Sequence, residues 1–297
     1  MNFFDAHADT ATRLLDENKS LFENDLHIDL KRLSKNESVQ VFACFIDPLY
    51  KTCAKERFKS IIDNFYKEAE KNEITICKSY DEILNEKGRV KAVLSLEGGE
   101  PIETLDDLDY IKSRGVLMVA PTWNYKNQLG CGVLEKEDTG LTEFGKKAIR
   151  RMNDLGILID VSHLSEKSFW DVAEISTKPI CASHSNSKSV KNNKRNLTDQ
   201  QFVKIRDMNG CVGINFYPPF LGDDIKCVID HIDKFLSLGG ENNIGIGSDF
   251  DGINYLPKGV TGCQDMESVI KMLPYTEEIR KKIAYKNFLR VLKAQNC

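Results

Sequence analysis

Short apolar runs rich in β-branched residues alternate with longer amphipathic segments along the whole chain. Eight of these runs predict strands, which are Asn2–Ala6, Val39–Ile46, Val90–Leu96, Val116–Pro121, Ile157–Val161, Ile180–Ala182, Cys211–Asn215 and Ile244–Ile246. The intervening segments predict helices, for example Lys55–Asn72, Thr142–Asp154, Glu166–Ile175, Thr198–Met208 and Ile225–Leu238. Regular alternation of strand and helix is typical of parallel βαβ units, and eight such units predict an α/β fold of the (β/α)₈ TIM barrel type.

The length of 297 residues allows one barrel domain or two smaller domains. No internal repeat, low-complexity tract or Pro/Ser-rich linker interrupts the alternation. We therefore expect a single barrel domain over residues 1–297. Ala120–Gly140 is a long polar connection with several glycines, and long loops after barrel strands commonly shape the active site.

The charge distribution argues against several classes of partner. The formal net charge is −4, the isoelectric point is near 5.8 and both signs are interspersed, so no basic stripe offers a surface to nucleic acid or to an anionic membrane. The N-terminal residues lack the features of a secretory signal, and no window is long and apolar enough to span a membrane. A small neutral or zwitterionic substrate fits this composition better.

The cysteines indicate the redox environment. There are nine of them, an odd number, and none forms a C-x-x-C pair. Several lie in apolar runs, such as the run around Cys44. These features predict reduced, mostly buried thiols and favour a cytoplasmic location.

Side chains able to bind a metal ion collect at the carboxyl ends of the predicted strands. They are His7 and Asp9 after the first strand, Glu97 after the third, His163 after the fifth, His184 after the sixth, and Asp249 and Asp251 after the eighth. Barrel enzymes assemble their active sites at these strand ends. Since the chain has only five histidines, three of them at strand ends favour one shared site over unrelated structural roles.

The residue types favour zinc. His7 and Asp9 are two residues apart, so both can point into the barrel mouth from an extended segment, and Asp5 would share that face. Imidazole and carboxylate together suit zinc, whereas calcium and magnesium prefer nearly all oxygen ligands. We interpret the other two histidines, His27 and His231, as structural or exposed.

Five candidate ligands are too many for one catalytic zinc ion, which usually keeps three protein ligands and an open position. Two ions about 3.5–4 Å apart would account for them, with Glu97 as a bridge, His7 and Asp9 on one ion, and His163 and His184 on the other. Water between the ions would lose a proton near neutral pH and form a bridging hydroxide. Taken singly, Glu97 could instead be a carboxylate at a helix N-terminus, and His163 could belong to a helix cap.

Seven motifs, taken in order, carry a family resemblance. They are Asp5-Ala-His7-Ala-Asp9, Glu97-Gly-Gly, Asp160-Val-Ser-His163, Ser183-His184-Ser, Lys194-Arg195-Asn-Leu-Thr-Asp, Asn215-Phe-Tyr217 and Gly247-Ser-Asp249-Phe-Asp-Gly. Together they resemble the membrane (renal) dipeptidase family, the M19 zinc peptidases, over nearly the whole chain. The resemblance implies a barrel with two Zn²⁺ ions that hydrolyses the peptide bond of small dipeptides, including those with a D-residue at the C-terminal position. It implies the same five ligands in the arrangement given above.

The resemblance also implies roles for residues outside the ligand set. Asp249 matches the family's acid/base aspartate, which would relay a proton to the leaving amine. Arg195 matches the residue that holds the substrate's terminal carboxylate, a task suited to a bidentate guanidinium. Tyr217 lies in the matching pocket segment. Family relatives are often dimers, so a homodimer is expected.

The chain departs from the family pattern at two positions. Where renal-type enzymes carry a histidine near the reacting carbonyl, this chain has Trp123, between Thr122 and Asn124, and where they read Glu-Gly-Gly-His it has Glu100. Trp123 can donate one hydrogen bond and Asn124 more, so both are candidate substrate-binding residues. The signal, disulfides and lipid anchor of the secreted members are not evident here, which indicates an intracellular relative.

Two other functions fit parts of this pattern. One is a deaminase or lactonase of the amidohydrolase type, but many of those binuclear enzymes bridge their metals with a carbamylated lysine, whereas the matching position here offers Glu97. The other is a catalytically impaired barrel that binds metal or ligand, suggested by Trp123 in place of the histidine. The retained ligands and Asp249 favour a dipeptidase over both.

Overall fold

The structure is a computed structural model of the chain and describes residues 2–295. Its strands are β1 (Asn2–Asp5), β2 (Glu37–Phe45), β3 (Val90–Glu97), β4 (Val116–Ala120), β5 (Leu158–Ile159), β6 (Cys181–Ala182), β7 (Cys211–Ile214) and β8 (Ile244–Ile246). They are all parallel and pair in the order β5-β4-β3-β2-β1-β8-β7-β6. A parallel bridge between Asp160 and Cys181 joins the two ends of this order. The nearly closed barrel confirms the predicted (β/α)₈ fold.

Helices occupy the connections between the strands. They are α1 (Thr10–Asp16), α2 (Leu30–Leu33), α3 (Ala54–Lys71), α4 (Tyr80–Asn85), α5 (Leu105–Ser113), α6 (Glu143–Asp154), α7 (Glu166–Ile175), α8 (Asp199–Asp207), α9 (Pro218–Leu221), α10 (Val228–Ser237), α11 (Met266–Met272), α12 (Glu277–Lys281) and α13 (Asn287–Lys293). Hydroxyl side chains define the starts of α6, α7 and α8, because Thr142, Ser165 and Thr198 each accept a hydrogen bond from the backbone N–H three residues later.

Strand side chains alternate between two apolar clusters, as the two-residue period of a strand requires. Phe3 of β1 and Phe42 of β2 belong to a large cluster shared with the outer helices, whereas Phe4 and Val41 belong to a smaller one that includes Phe288 of α13. The rings of Phe4 and Phe288 stack with centroids 5.3 Å apart. Helix α13 thus packs against the amino ends of the strands, which leaves the carboxyl ends for the site.

The predicted elements differ from the observed ones mainly at their ends. The fifth strand is predicted over Ile157–Val161, but only Leu158–Ile159 has regular strand pairing, and the residues that follow bend toward the site. The third strand includes Glu97 as its last residue, where the pattern had placed Glu97 just after the strand. The helix predicted over Ile225–Leu238 begins with a 3-10 turn, Ile225–Cys227, before α10.

Two further predictions concern the state of the chain. Within residues 2–295, no helix combines the length and apolar character needed to cross a membrane. The eight cysteines in that range are unpaired and six of them are buried, which agrees with the prediction that most of the thiols are buried; Cys297 lies outside the described residues. Burial raises the pKa of the Cys44 thiol to about 12, so this group is inert as a nucleophile.

Candidate metal centre and active site

Backbone hydrogen bonds join the carboxyl ends of β1 and β8. Asp9 N donates to Phe250 O at 2.9 Å, and Asp249 N donates to His7 O at 3.2 Å. His7 Nε2 lies 3.8 Å from Asp9 Oδ1 and 4.0 Å from Asp249 Oδ1. The two-residue spacing in the first motif therefore brings His7 and Asp9 to one side of the barrel mouth, next to Asp249 from the last strand.

The backbone of two site residues is held in the left-handed region. The φ angle is +70° at His163 and +62° at Asp249, which is uncommon for residues with a side chain and clusters at functional sites. Gly252 follows Asp249 closely, and a Cβ there would stand 2.2 Å from Asp9 Oδ2 and 2.5 Å from Asp249 Oδ1. Only glycine leaves room for both carboxylates at this point.

Glu97 stands between two sets of histidines. Its Oε2 lies 3.6 Å from His7 Nε2, while its Oε1 lies 2.8 Å from His163 Nε2 and 3.5 Å from His184 Nε2. Three groups of metal-capable side chains have all their candidate atoms within 4.8 Å of one another, namely His7, Asp9 and Glu97; Glu97, His163 and His184; and His7, His184 and Asp249. One carboxylate is thus common to two potential cation sites.

Two atoms of this cluster are buried without a hydrogen-bond partner among the described residues. They are His7 Nε2 and Asp9 Oδ1, on residues that are only 2% and 7% exposed. A buried acceptor without a partner costs about 1–3 kcal/mol. A bound cation would satisfy both atoms at once, so these residues fit a metal ion.

Hydrogen bonds behind the other two histidines determine which ring nitrogen carries the proton. Asn124 Oδ1 accepts from His163 Nδ1 at 2.8 Å. Ser183 Oγ donates to Asp160 and accepts from His184 Nδ1 at 2.7 Å. Both Nε2 atoms therefore carry lone pairs, yet they lie 2.7 Å apart, which is favourable only with a positive charge between them. Oxygen partners behind histidines in this way are typical of metal ligands.

The charges of the cluster also suit a cation. Burial and the charge of Glu97 raise the pKa of Asp9 to about 6, and burial raises the pKa of Asp249 to about 7. Burial alone would lower the pKa of His7, but the facing carboxylates of Glu97 and Asp9 outweigh it and raise that pKa well above its usual value. Burial lowers the pKa of His163 to about 4. His163 is therefore neutral at pH 7, as a ligand must be, whereas His7 holds a proton that a cation would displace.

A cavity of about 160 Å³ opens over this cluster. Besides the carboxylates, its walls carry aromatic, amide and cationic side chains, which are Phe45, Trp123, Asn124, Arg195, Tyr217 and Phe220. The rings of Phe45 and Trp123 lie 5.3 Å apart. The cavity thus combines a polar floor with an apolar wall, as pockets for small molecules usually do.

Arg195 is a buried cation with few partners. It is 7% exposed, its Nε has no hydrogen-bond partner in the described part of the chain, and its Nη2 reaches only His184 O, at 3.5 Å. Its guanidinium carbon lies 5.5 Å from the ring centre of Phe220. Burial lowers the pKa of Arg195. The guanidinium therefore keeps unused donors beside the cavity, where an anionic group could take them.

A comparison with known proteins shows to which family this chain belongs. The model of the family described as membrane dipeptidase (peptidase family M19) matches residues 1–297. The chain belongs to this family. Its M19 membership agrees with the resemblance that the seven motifs predict.

Three relatives illustrate the similarity of this M19 family member to known proteins. A metallo peptidase of Rhodobacter sphaeroides, liganded with a phosphinate mimic of the dipeptide L-Ala-D-Ala, is 27% identical, with a TM-score of 0.90 over 99% of both chains. The M19 metallo peptidase dipeptidase AC is 27% identical, with a TM-score of 0.91 over 99% of this chain and 98% of that one. An uncharacterised dipeptidase of Schizosaccharomyces pombe is 27% identical over 92% of this chain and 73% of its own length. The chain is therefore a metal-dependent dipeptidase.

In this dipeptidase the residues singled out by sequence meet at one place. Eight of them line the cavity, namely Asp9, Glu97, Trp123, Asn124, His163, Arg195, Tyr217 and Asp249. The remaining two, His7 and His184, belong to the groups of metal-capable side chains.

Besides Asp251 and His27, three residues noted in the sequence do not join the cluster. Asp5 shares the face of His7 by spacing, but both its carboxylate oxygens accept hydrogen bonds from Ser248, at 2.8 and 2.6 Å. Glu100 is buried but does not line the cavity. His231 is buried in α10 and bonds to backbone groups through both ring nitrogens, which agrees with the structural role predicted for it.

Sequence reasoning assigned no role to several residues that support the site. Asn215 Nδ2 donates to Asp249 Oδ2 at 2.8 Å, and Ser183 holds His184 as described above. Both residues lie inside motifs that resemble the family, so their place in those motifs could have indicated a role at the site. Phe45 and Phe220 form the apolar wall, and no local pattern marks either of them.

Proposed function

We propose that this chain hydrolyses small dipeptides with two Zn²⁺ ions, whose ligands are His7, Asp9, Glu97, His163 and His184. The observation that carries the proposal is the position of Glu97, whose two oxygens face separate groups of ligand-capable side chains. A shared carboxylate suits a pair of cations, and mixed imidazole and carboxylate donors suit zinc. When bound, such ions lower the pKa of a shared water and polarise the amide carbonyl.

Arg195 binds the C-terminal carboxylate of the dipeptide. The support for this role is the set of unused guanidinium donors beside the cavity. A guanidinium and a carboxylate form two parallel charge-assisted hydrogen bonds. Because this contact requires a free carboxylate one residue beyond the scissile bond, it confines cleavage to the C-terminal peptide bond, and the small cavity of about 160 Å³ limits what can precede that bond.

Asp249 receives a proton from the attacking water and passes it to the leaving amine. Asn215 occupies its Oδ2, which leaves Oδ1 free at the cavity side. Burial raises the pKa of Asp249 to about 7, and a proton carrier works best when its pKa is near the working pH. Asp249 takes this role rather than Glu97, because one oxygen of Asp249 is free, whereas both oxygens of Glu97 face histidines.

Asn124 serves two purposes in this proposal. Its Oδ1 holds the ring of His163 at 2.8 Å, so its Nδ2 is left to donate to the substrate's carbonyl oxygen, as an oxyanion donor does. Trp123 packs against Phe45, with ring centroids 5.3 Å apart, and lies 6.1 Å from the ring of His163. Trp123 thus supplies an apolar wall and one indole N–H in place of the family's histidine.

Tyr217 lines the cavity together with Phe220. Its ring packs against Phe220 and Tyr255, with centroids 5.0 and 5.6 Å apart. The small volume of about 160 Å³ suits dipeptides with compact side chains. Since a neighbour of 27% identity is liganded with a mimic of L-Ala-D-Ala, we extend the proposed substrates to dipeptides with a D-residue at the C-terminal position.

The test is hydrolysis of a panel of L-L and L-D dipeptides, together with matching tripeptides and N-acetyl amino acids. Each substrate is assayed with the purified protein, after chelation, and after zinc is restored. We expect chelator-sensitive cleavage of dipeptides only, including L-D dipeptides. Equal hydrolysis of tripeptides would contradict a site of dipeptide size, and cleavage of a tripeptide at its first bond would contradict the assignment of Arg195. Cleavage of L-L dipeptides alone would contradict the assigned stereochemistry.

A further inference from the structure

The carboxylate of Asp251 is buried among hydrogen-bond donors two residues after Asp249. It is 4% exposed and belongs to none of the three groups of metal-capable side chains found in residues 2–295. Its Oδ1 accepts from His27 N and its Oδ2 accepts from Thr10 Oγ1, both at 2.6 Å. Because both oxygens are already bonded within the protein, Asp251 is not free to bind substrate or a cation.

Asp251 connects three segments that are far apart in sequence. Thr10 directly follows Asp9 and is the first residue of α1. His27, in the connection between α1 and α2, exchanges two hydrogen bonds with Asp251, since Asp251 N also donates to His27 Nδ1 at 2.9 Å. Arg13 Nη1 donates to Asp251 O at 3.0 Å. These bonds hold the first turn of α1 and the loop after β8 to each other, next to Asp9 and Asp249.

The loop after β8 needs such a restraint. Both Asp249 and Asp251 have positive φ angles, +62° and +67°, and side-chain-bearing residues keep this conformation only where the surroundings impose it. Across Gly252, the carboxylates of Asp9 and Asp249 approach closely enough that a Cβ would touch both. The separation of these two carboxylates therefore depends on how firmly the loop is tied to the end of β1.

We propose that Asp251 is a positioning residue, which sets the separation between Asp9 and Asp249 through its hydrogen bonds to Thr10 and His27. Without these side-chain bonds, backbone hydrogen bonds still join the two segments, but the first turn of α1 and the loop after β8 are held less firmly, and the cation site that contains Asp9 loses its geometry. The inference rests on the proposed function, since it presupposes that Asp9 binds a cation. Residues behind a ligand commonly affect metal affinity in this way.

The experiment compares metal binding in variants of the Asp251 contact. Asp251→Ala removes the whole contact, Thr10→Val removes only the hydroxyl donor while keeping the shape, and Thr10→Ser keeps the hydroxyl. Asp29→Asn is the matched control, because Asp29 is likewise buried, at 2% exposure, and accepts from a backbone N–H, that of Arg32, at 2.9 Å. Each metal-free protein is titrated with Co²⁺ and followed by its absorption spectrum, and its melting temperature is measured separately.

We expect Asp251→Ala and Thr10→Val to bind one of the two Co²⁺ ions about 10–100-fold more weakly. Thr10→Ser and Asp29→Asn should bind both ions as the wild type does, even where the melting temperature falls. Wild-type binding of both ions by Asp251→Ala and Thr10→Val would overturn the inference, and Thr10→Val decides alone if Asp251→Ala does not fold. Failure of the wild type to bind Co²⁺ would instead overturn the proposed function.

Discussion

Replacing Arg195 isolates the recognition of the substrate's carboxylate. Arg195→Met keeps a long side chain against Phe220 but removes every donor. If the guanidinium makes two hydrogen bonds to the carboxylate, each contributes about 1.5–3 kcal/mol because the groups are charged. Their loss amounts to about 3–6 kcal/mol, which lowers kcat/KM by about 10²–10⁴-fold.

The assay pairs each enzyme with a dipeptide and with the same dipeptide as its C-terminal amide. The wild type should hydrolyse the acid far faster than the amide. Arg195→Met should hydrolyse the two at similar rates, because the group that distinguishes them is gone. Arg195→Lys, which keeps the charge but not the two-pronged geometry, should lie between the two. If Arg195→Met still prefers the acid as strongly as the wild type, Arg195 does not hold the carboxylate.

The melting temperature of Arg195→Met distinguishes a role of Arg195 in substrate binding from a role in folding. Arg195 is 7% exposed and its Nε has no partner within the described residues, so the folded protein bears the cost of burying an incompletely bonded cation. Arg195→Met removes that cost, and its melting temperature should equal or exceed that of the wild type. An equal loss of activity toward acid and amide, with a lower melting temperature, would refute the reasoning.

Three further predictions concern the metal cluster. Glu97→Gln should lose both metal ions and activity together, because the charge shared by the two groups is removed; metal analysis with normal content would contradict this. Asp249→Asn should keep its metal but lose about 10²–10⁴-fold in kcat, and normal turnover in a kinetic assay would remove it from its role. Protons compete with a cation at Asp9, whose pKa is about 6, so metal affinity measured by calorimetry should rise from pH 5 to pH 8; a flat profile would contradict the assignment of Asp9 as a ligand.

The barrel could be predicted because each of its strands is marked by residues that are adjacent in the sequence. Each strand is a short apolar run, and the number and spacing of these runs specify eight parallel units. The convergence of the candidate ligands could be predicted for the same reason, since His7 and Asp9 lie two residues apart at one strand end, and carboxyl ends of barrel strands converge. What the pattern missed was the exact extent of short strands such as β5, whose pairing ends early as the chain turns toward the site.

The supporting contacts could not be predicted because they join distant parts of the chain. Asp251 bonds to His27 across 224 residues of sequence, and Asn215 bonds to Asp249 across 34. Neither pair has a spacing that reports on its contact. The aromatic wall could not be predicted for the same reason. Phe45 ends a strand as many apolar residues do, and it contacts Trp123 only in the folded barrel.

The proposed pair of cations shared through Glu97 can be tested by titrating the chelated protein with Zn²⁺ while dipeptide hydrolysis and bound metal are measured on the same sample. We expect the chelated protein to be inactive, and activity to be complete only when two ions are bound per chain. Full activity with one ion, or hydrolysis that survives complete removal of metal, would contradict it.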